Sequence, residues 1–88
     1  MQIKAHVAQG HLVFECDGVF VDSIEKVTLN KDTGFFKFKF ERSGDEVDLD
    51  CPLQHDLIPT LIGQTICGVG LFFRGKLMAS AFVPLEVR

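Results

Sequence analysis

The sequence has no tryptophan and no tyrosine, although nine of its 88 residues are phenylalanine. Tryptophan and tyrosine are among the side chains most enriched at the energetic centres of protein interfaces. Their absence means that any interface of this protein must be built from phenylalanine, methionine, leucine or arginine.

The sequence also lacks paired cysteines. The three cysteines, Cys16, Cys51 and Cys67, are odd in number and widely spaced, and no Cys-x-x-Cys occurs. This spacing argues against a disulfide framework and against a structural zinc site, whose ligands usually come in close pairs. All three fall on predicted apolar faces, where cysteine is commonly buried. We therefore predict reduced core cysteines, no metal or other cofactor, and a cytoplasmic location.

A recognisable catalytic motif is missing as well. Cys51, His55 and Asp56 include the residue types of a nucleophile, a base and an orienting acid, but they occupy one short segment and match no known motif. The Gly-x-Gly formed by Gly68 and Gly70 is not followed by a helix, so it does not fit a dinucleotide-binding turn. These absences predict that the protein is not an enzyme.

Positive charge and long apolar runs are scarce. Nine Lys and Arg residues stand against twelve Asp and Glu residues, for a net charge of −3. An extended basic groove is hard to build from this balance, which argues against nucleic acid as a partner. No apolar run reaches the roughly 18 residues of a membrane span, and no signal-peptide pattern is present at the start. The hydrophobic share of 47% nevertheless predicts a folded chain, with one domain over residues 1–88.

The strongest structural pattern lies in residues 35–51, where apolar and charged residues alternate on both sides of Ser43-Gly44. This pattern predicts a β-hairpin with a turn at those two residues, since cross-strand pairing favours apolar partners on one face and opposite charges on the other. The predicted pairs are Phe40 with Val47, Phe38 with Leu49, Phe36 with Cys51, Lys39 with Asp48, and Lys37 with Asp50.

Turn signals predict further strands before this hairpin. Residues 2–8 and 11–16 are separated by Gln9-Gly10, and Asp17-Gly18 predicts a second turn with a return strand over residues 19–22. In that register Phe14 would face Val21 and Cys16 would face Val19. Residues 24–29 continue as a strand, with a helical turn at residues 23–26 as the alternative, and residues 30–34 form a loop.

One short helix is predicted near residues 56–62. Asp56 is the expected N-cap and Gly63 the expected C′ residue, while Pro59 falls in the first turn, where its missing N–H costs little. The apolar residues at helical spacing are Leu57, Ile58, Leu61 and Ile62.

The last part of the chain predicts a second hairpin, with strands over residues 65–73 and 76–83 and a turn at Arg74-Gly75. Both of its faces are apolar, whereas a surface strand usually has one polar face. We expect the face with Gly68, Gly70 and the alanines of the return strand to pack on the core. The other face is either covered by the N-terminal strands, which would close a barrel, or bound by another chain. The interface candidates on it are Val69, Leu71, Phe73, Met78 and Phe82.

These patterns together predict a mainly β protein: a small antiparallel β-barrel or sandwich of about 6–7 short, hairpin-connected strands with one short helix. The predicted function is non-enzymatic protein binding, as an adaptor or a small inhibitor of the kind that phages and mobile elements encode, with homodimerisation as an open alternative. A second alternative is an OB-like single-strand nucleic-acid binder that would use Phe35, Lys37 and Lys39. Asp48 and Asp50 oppose those lysines in the predicted register, which disfavours it.

Overall fold

The computed structural model describes residues 2–18, 23–49 and 55–88. Seven strands and one short helical segment account for most of these residues. The strands are β1 (Gln2–Ala8), β2 (His11–Asp17), β3 (Ile24–Leu29), β4 (Phe36–Phe40), β5 (Glu46–Leu49), β6 (Ile66–Phe73) and β7 (Lys76–Val87). A 3₁₀ turn (His55–Leu57) leads into the single α-helical turn α1 (Ile58–Leu61).

The strands form one mixed sheet in the order β1-β2-β6-β7-β3-β4-β5, curled into a half-barrel. Consecutive hairpins pair β1 with β2, β4 with β3 and β5, and β6 with β7, all antiparallel. Two pairings, β2 with β6 and β3 with β7, are parallel and join segments far apart in sequence. The mainly β, barrel-like fold with one short helix is therefore confirmed, and the parallel pairings are additional to it.

The core lies on the concave side of the half-barrel. The Phe14 ring contacts Phe36 and Phe38, each with ring centroids 5.1 Å apart in an edge-to-face arrangement. Ile58 and Leu61 of α1 belong to the same cluster. The sheet has two halves, one formed by β1, β2, β6 and β7 and the other by β3, β4 and β5. The buried side chains come from β2, β3, β4, β5, α1, β6 and β7, so the two halves share one core.

The β4–β5 hairpin has the predicted faces but a different register. The structure pairs Phe36 with Leu49 and Lys37 with Asp48, which moves each pairing by two residues from the prediction. Gly44 has φ of 68°, whereas Ser43 is absent from the positive-φ residues, so the two do not form the predicted two-residue turn. Phe40 N–H instead donates to Asp45 C=O across a four-residue loop. A shift of two keeps each side chain on its face, because side chains alternate with period two. Cys51 and Asp50 lie outside the described residues.

The N-terminal hairpin follows the prediction at its turn and departs from it afterwards. Gln9 and Gly10 both have positive φ and join β1 to β2. The predicted return strand over residues 19–22, with its pairs Phe14–Val21 and Cys16–Val19, lies outside the described residues. In the structure the neighbours of Phe14 are Ala5 on one side and Val69 on the other, so both edges of β2 are already paired.

The prediction for β3 is confirmed, whereas the prediction for the helix is wrong at its N-cap. Ile24–Leu29 is the predicted strand, with a bulge at its start, and not the alternative helical turn. The helix occurs where it was predicted, but Asp56 lies within the 3₁₀ turn and Leu57 takes the N-cap position without a side-chain cap. Gly63 does adopt the expected positive φ, at 94°.

The β6–β7 hairpin turns at Arg74-Gly75 as predicted, but it contains a bulge close to the turn. Phe72 pairs with Leu77, whereas Leu71 pairs with Ala79, so Met78 is the extra residue. Beyond the bulge, each residue of β7 shares a side of the sheet with the β6 residues that a regular hairpin would place on the opposite side. Cys67 and Val69 consequently point into the core together with Val83. The expectation that the glycine face packs on the core is wrong, because the core is filled by these larger side chains.

Candidate protein-binding face

The outer, convex side of β6 and β7 carries a group of apolar side chains around two glycines. A Cβ placed on Gly68 would lie 3.7 Å from Val13 and 3.8 Å from Phe82, and one on Gly70 would lie 3.3 Å from Phe72 and 3.5 Å from Leu77. These side chains therefore share one side of the sheet. Together with Ile66, which alternates in phase with Gly68 along β6, they form what we call the outer apolar face: Val13, Ile66, Gly68, Gly70, Phe72, Leu77 and Phe82.

Several side chains of the outer apolar face are open to solvent. Phe82 is 77% exposed, Leu77 52% and Ile66 50%. Met78, at the bulge beside this face, is 60% exposed. Scattered single exposed hydrophobic residues are normal on a protein surface, but several on one side of a single hairpin, here with only Ser80 between Leu77 and Phe82, mark an interaction site more often.

The bulge distributes the predicted interface residues over different surfaces. Val69 is buried in the core, and Leu71 is half-buried against it. Phe73 is 45% exposed near the turn, with the Arg74 guanidinium 5.2 Å from its ring centroid. Phe82 lies on the outer apolar face, and Met78 is exposed next to it. The sequence pattern assigned Ile66 and Leu77 to the opposite face, because the bulge that reverses the alternation has no signature in the sequence.

The convex side of the other half of the sheet is charged. Lys26 Nζ lies 3.2 Å from Glu86 Oε2, and Lys39 Nζ lies 3.4 Å from Glu25 Oε2. Hydrogen bonds from Arg88 and Lys26 lower the pKa of the exposed Glu86 carboxyl. Such a face is the usual solvated side of a sheet. The outer apolar face therefore differs in character from the adjoining part of the same sheet.

The residues of the nucleic-acid alternative lie on this charged side. Phe35 is 65% exposed just before β4. Lys37 Nζ lies 3.7 Å from Asp48 Oδ1, and Lys39 is paired with Glu25 rather than with its predicted partner on β5. Both lysines thus have carboxylates beside them, which reduces the positive potential that a phosphate backbone would meet.

A cleft of about 690 Å³ opens where β7 separates from β3. Leu85 N–H donates to Thr65 next to β6, and Arg88 N–H donates to Leu29 of β3, so alternate residues of β7 face β3. The backbone of Pro84 is also directed towards β3, but proline has no N–H to donate. The β3–β7 ladder accordingly begins only at Val27 and Leu85. The cleft is lined by Ser23, Ile24, Glu41, Arg42, Val69, Leu71, Ala79, Ser80, Ala81 and Val83.

The described cysteines and histidines show no grouping that would bind a metal. Cys16 and Cys67 are both buried in the core, as predicted for these two, and burial raises the pKa of the Cys67 thiol to about 12. Within residues 2–18, 23–49 and 55–88, no three His, Cys, Asp or Glu side chains come together as a metal site. Cys51 lies outside these ranges, so its predicted burial and its proximity to His55 and Asp56 are not described.

Comparisons with known proteins do not identify a function for this chain. No protein family, no curated protein and no solved structure matched this chain. Among the described residues, no helix is long and apolar enough to cross a membrane.

Proposed function

We propose that this chain is a non-enzymatic protein-binding module, an adaptor or a small inhibitor, and that it binds its partner through the outer apolar face. The observation that carries this proposal is the exposure of Phe82, Leu77 and Ile66 on one side of a single hairpin. Full burial of a side chain of this size stabilises a complex by about 1.5–3 kcal/mol. A partner that covers these three residues would therefore gain enough to offset part of the cost of association.

The contrast between the two halves of the convex surface supports the same proposal. On the charged half, Lys26 and Lys39 make the kind of ion pairs expected on a sheet face that contacts only solvent. An equally solvated β6–β7 hairpin would carry polar residues at the positions of Phe82 and Ile66. Phenylalanine and leucine are also among the few residue types from which this sequence can build an interface, since it has neither tryptophan nor tyrosine.

A reducing, cytoplasmic location fits the chemistry of the core and forms part of the proposal. Cys67 is a buried free thiol, and burial raises its pKa, which further disfavours the thiolate, the reactive form. A thiol in this setting has a packing role, as expected of a chain that binds rather than catalyses.

Affinity capture with matched variants tests the proposal. Tagged wild type, Phe82→Asp and Phe35→Asp would be expressed in the native host, and co-purifying proteins would be identified by mass spectrometry. Phe35 is similarly exposed but lies on the charged half, so its variant controls for the loss of an exposed phenylalanine. We expect a stoichiometric partner with the wild type and with Phe35→Asp, and its loss with Phe82→Asp. Equal capture by all three proteins would contradict the assignment of the face.

A further inference from the structure

We propose that the partner protein binds with an extended segment, which adds as a strand to the open edge of β7 and places alternate side chains in the cleft between β7 and β3. The open edge is the side of residues 80–84 that is turned away from β6. This inference rests on the proposed function and specifies how the partner binds. The juxtaposition of unused backbone hydrogen-bonding groups with the cleft carries the argument.

The first half of β7 pairs along only one of its two edges. It pairs with β6 from Lys76 onwards, whereas its pairing with β3 begins only at Leu85. Leu85 N–H donates towards β6, so the backbone groups of Ser80, Phe82 and Pro84, which alternate with it, are directed to the open edge. Among the described residues, no hydrogen bond reaches Ser80 or Phe82 from that side.

The exposure of β7 shows that this edge is accessible as well as unpaired. Every residue over positions 76–82 is exposed, whereas Val83 and Leu85 are buried. A strand with one covered face would alternate between buried and exposed residues, and β7 begins to do so only from Val83. Ala79 and Ala81 are exposed on the same side of the sheet as Val83, so the cleft extends along the concave side as far as the open edge.

An extended segment is the occupant whose chemistry matches this edge. A row of unpaired N–H and C=O groups is a template for a further strand, and strand addition is a recurring mode of peptide recognition. Ser80 and Phe82 each offer one N–H and one C=O, and Pro84 offers a further C=O. Side chains of the added strand would alternate between the cleft and the outer side, where they would lie beside Phe82. One segment would thereby contact both the cleft and the outer apolar face.

The opposite wall of the cleft favours a single segment over the edge of another folded sheet. Residues at the start of β3 and after β4 line that wall, among them Ile24 and Glu41. The two walls converge where Val27 pairs with Leu85. A strand within a folded sheet brings a neighbouring strand about 4.8 Å away, which would meet this wall. A terminal or loop segment has no such neighbour, so we expect the partner's segment to be unpaired before it binds.

Amide hydrogen exchange followed by NMR tests the open edge in the free protein. We expect fast exchange at Ser80 and Phe82, and slow exchange at Ala81 and Val83, whose N–H groups belong to the ladder with β6. Slow exchange at both Ser80 and Phe82 would show that the edge is already paired and would overturn the inference.

Selection from a phage-displayed library of random linear peptides about ten residues long tests the binding mode. We expect enriched peptides with apolar residues at alternate positions, and an affinity that falls about tenfold or more in Ser80→Pro. Proline there removes an N–H from the open edge and leaves the β6 ladder intact, as urea unfolding would verify. Ser80→Ala keeps the backbone groups and is the matched control, which should bind as the wild type does.

Methylation of a selected synthetic peptide gives a second readout that leaves the protein unchanged. Each backbone N–H of the peptide would be methylated in turn, and the affinity for the wild type measured by isothermal titration calorimetry. Loss of affinity at every second residue is expected, because only alternate N–H groups of a strand face a given neighbour.

The absence of any enriched peptide, equal affinity for Ser80→Pro and the wild type, or a methylation profile without this alternation would overturn the inference. In each of these cases, capture of a partner by the wild type that is lost in Phe82→Asp would still support the proposed function. Failure of that capture as well would overturn both.

Discussion

Replacement of Phe14 by leucine probes an aromatic contact in the core between the two halves of the curled sheet. Phe14 projects from β2, and its ring contacts the edges of Phe36 and Phe38 from β4 at 5.1 Å each. β2 and β4 are not paired directly, so these ring contacts join the two halves through the core, in addition to the backbone ladder between β3 and β7. Leucine keeps the site apolar and removes both aromatic contacts.

The expected loss can be worked out from these contacts. Each edge-to-face pair contributes about 0.5–1.5 kcal/mol beyond area burial, so the loss of two pairs is worth about 1–3 kcal/mol. The total stability of a chain of this length is roughly 4–13 kcal/mol, so the leucine variant should remain folded. Alanine at the same position would cost about 3–5 kcal/mol and is the less useful probe.

Urea unfolding followed by circular dichroism measures this loss, since the chain lacks the tryptophan and tyrosine that fluorescence would need. We expect one cooperative transition for Phe14→Leu, with a lower midpoint and the same slope as the wild type. A double-mutant cycle with Phe36→Leu should give a coupling energy of about 0.5–1.5 kcal/mol. Phe35→Leu, at a solvent-exposed position, serves as the control. A loss below about 0.5 kcal/mol, or strict additivity in the cycle, would refute the role assigned to the Phe14 cluster.

Three other predictions concern separate parts of the chain. Gly44→Ala should lower the free energy of unfolding by about 1 kcal/mol, because φ is 68° at this position. The added Cβ would meet nothing within 4 Å, so the loss comes from the backbone conformation alone. Gly44→Asn should cost less, and equal stability of the wild type and both variants in urea titration would contradict this. The raised pKa of Cys67 means that the folded state holds its proton more tightly, so stability present at neutral pH should fall between about pH 9 and pH 12 by up to ~1.4 kcal/mol per pH unit. Cys67→Val should abolish that part of the pH dependence, and an unchanged profile would show that the thiol does not titrate there. Fluorescence anisotropy with a labelled single-stranded oligonucleotide at low salt should show no binding, since Lys37 and Lys39 are paired with carboxylates; binding that weakens in the double alanine variant would revive the nucleic-acid alternative.

The sequence predicted those parts of the fold that depend on local chemistry. Gln9-Gly10 and Arg74-Gly75 form two-residue turns in which both residues take positive φ. The alternation of phenylalanine and lysine in β4 correctly indicated which side chains enter the core, since that assignment needs only the period of a strand.

Features that depend on long-range contacts were beyond the sequence pattern. The two parallel pairings join β2 to β6 and β3 to β7, and no local signal identifies which distant strand is the neighbour. The register of β4 with β5 depended on the turn. The predicted two-residue turn needs positive φ at both Ser43 and Gly44, whereas only Gly44 adopts it. Both alternatives place the same side chains inside, so the hydrophobic pattern could not decide between them.

The candidate site shows the same division. The sequence indicated that the β6–β7 hairpin has no polar face and that Phe82 belongs to its unusual surface. A bulge of one residue at Met78 then determined that Val69 enters the core while Leu77 and Ile66 accompany Phe82. Bulges respond to the twist and curvature of the whole sheet, which a count of alternating residues does not contain.

Site-specific photocrosslinking tests the central claim, that the outer apolar face is where this protein binds a partner. A photoreactive phenylalanine analogue would replace Phe82 in one protein and Phe35 in another, each expressed in the native host and irradiated. Both positions are exposed phenylalanines, so the analogue itself should perturb neither fold. We predict a discrete protein adduct from position 82 and none from position 35. The absence of an adduct at position 82, or the same adduct from both positions, would contradict the account.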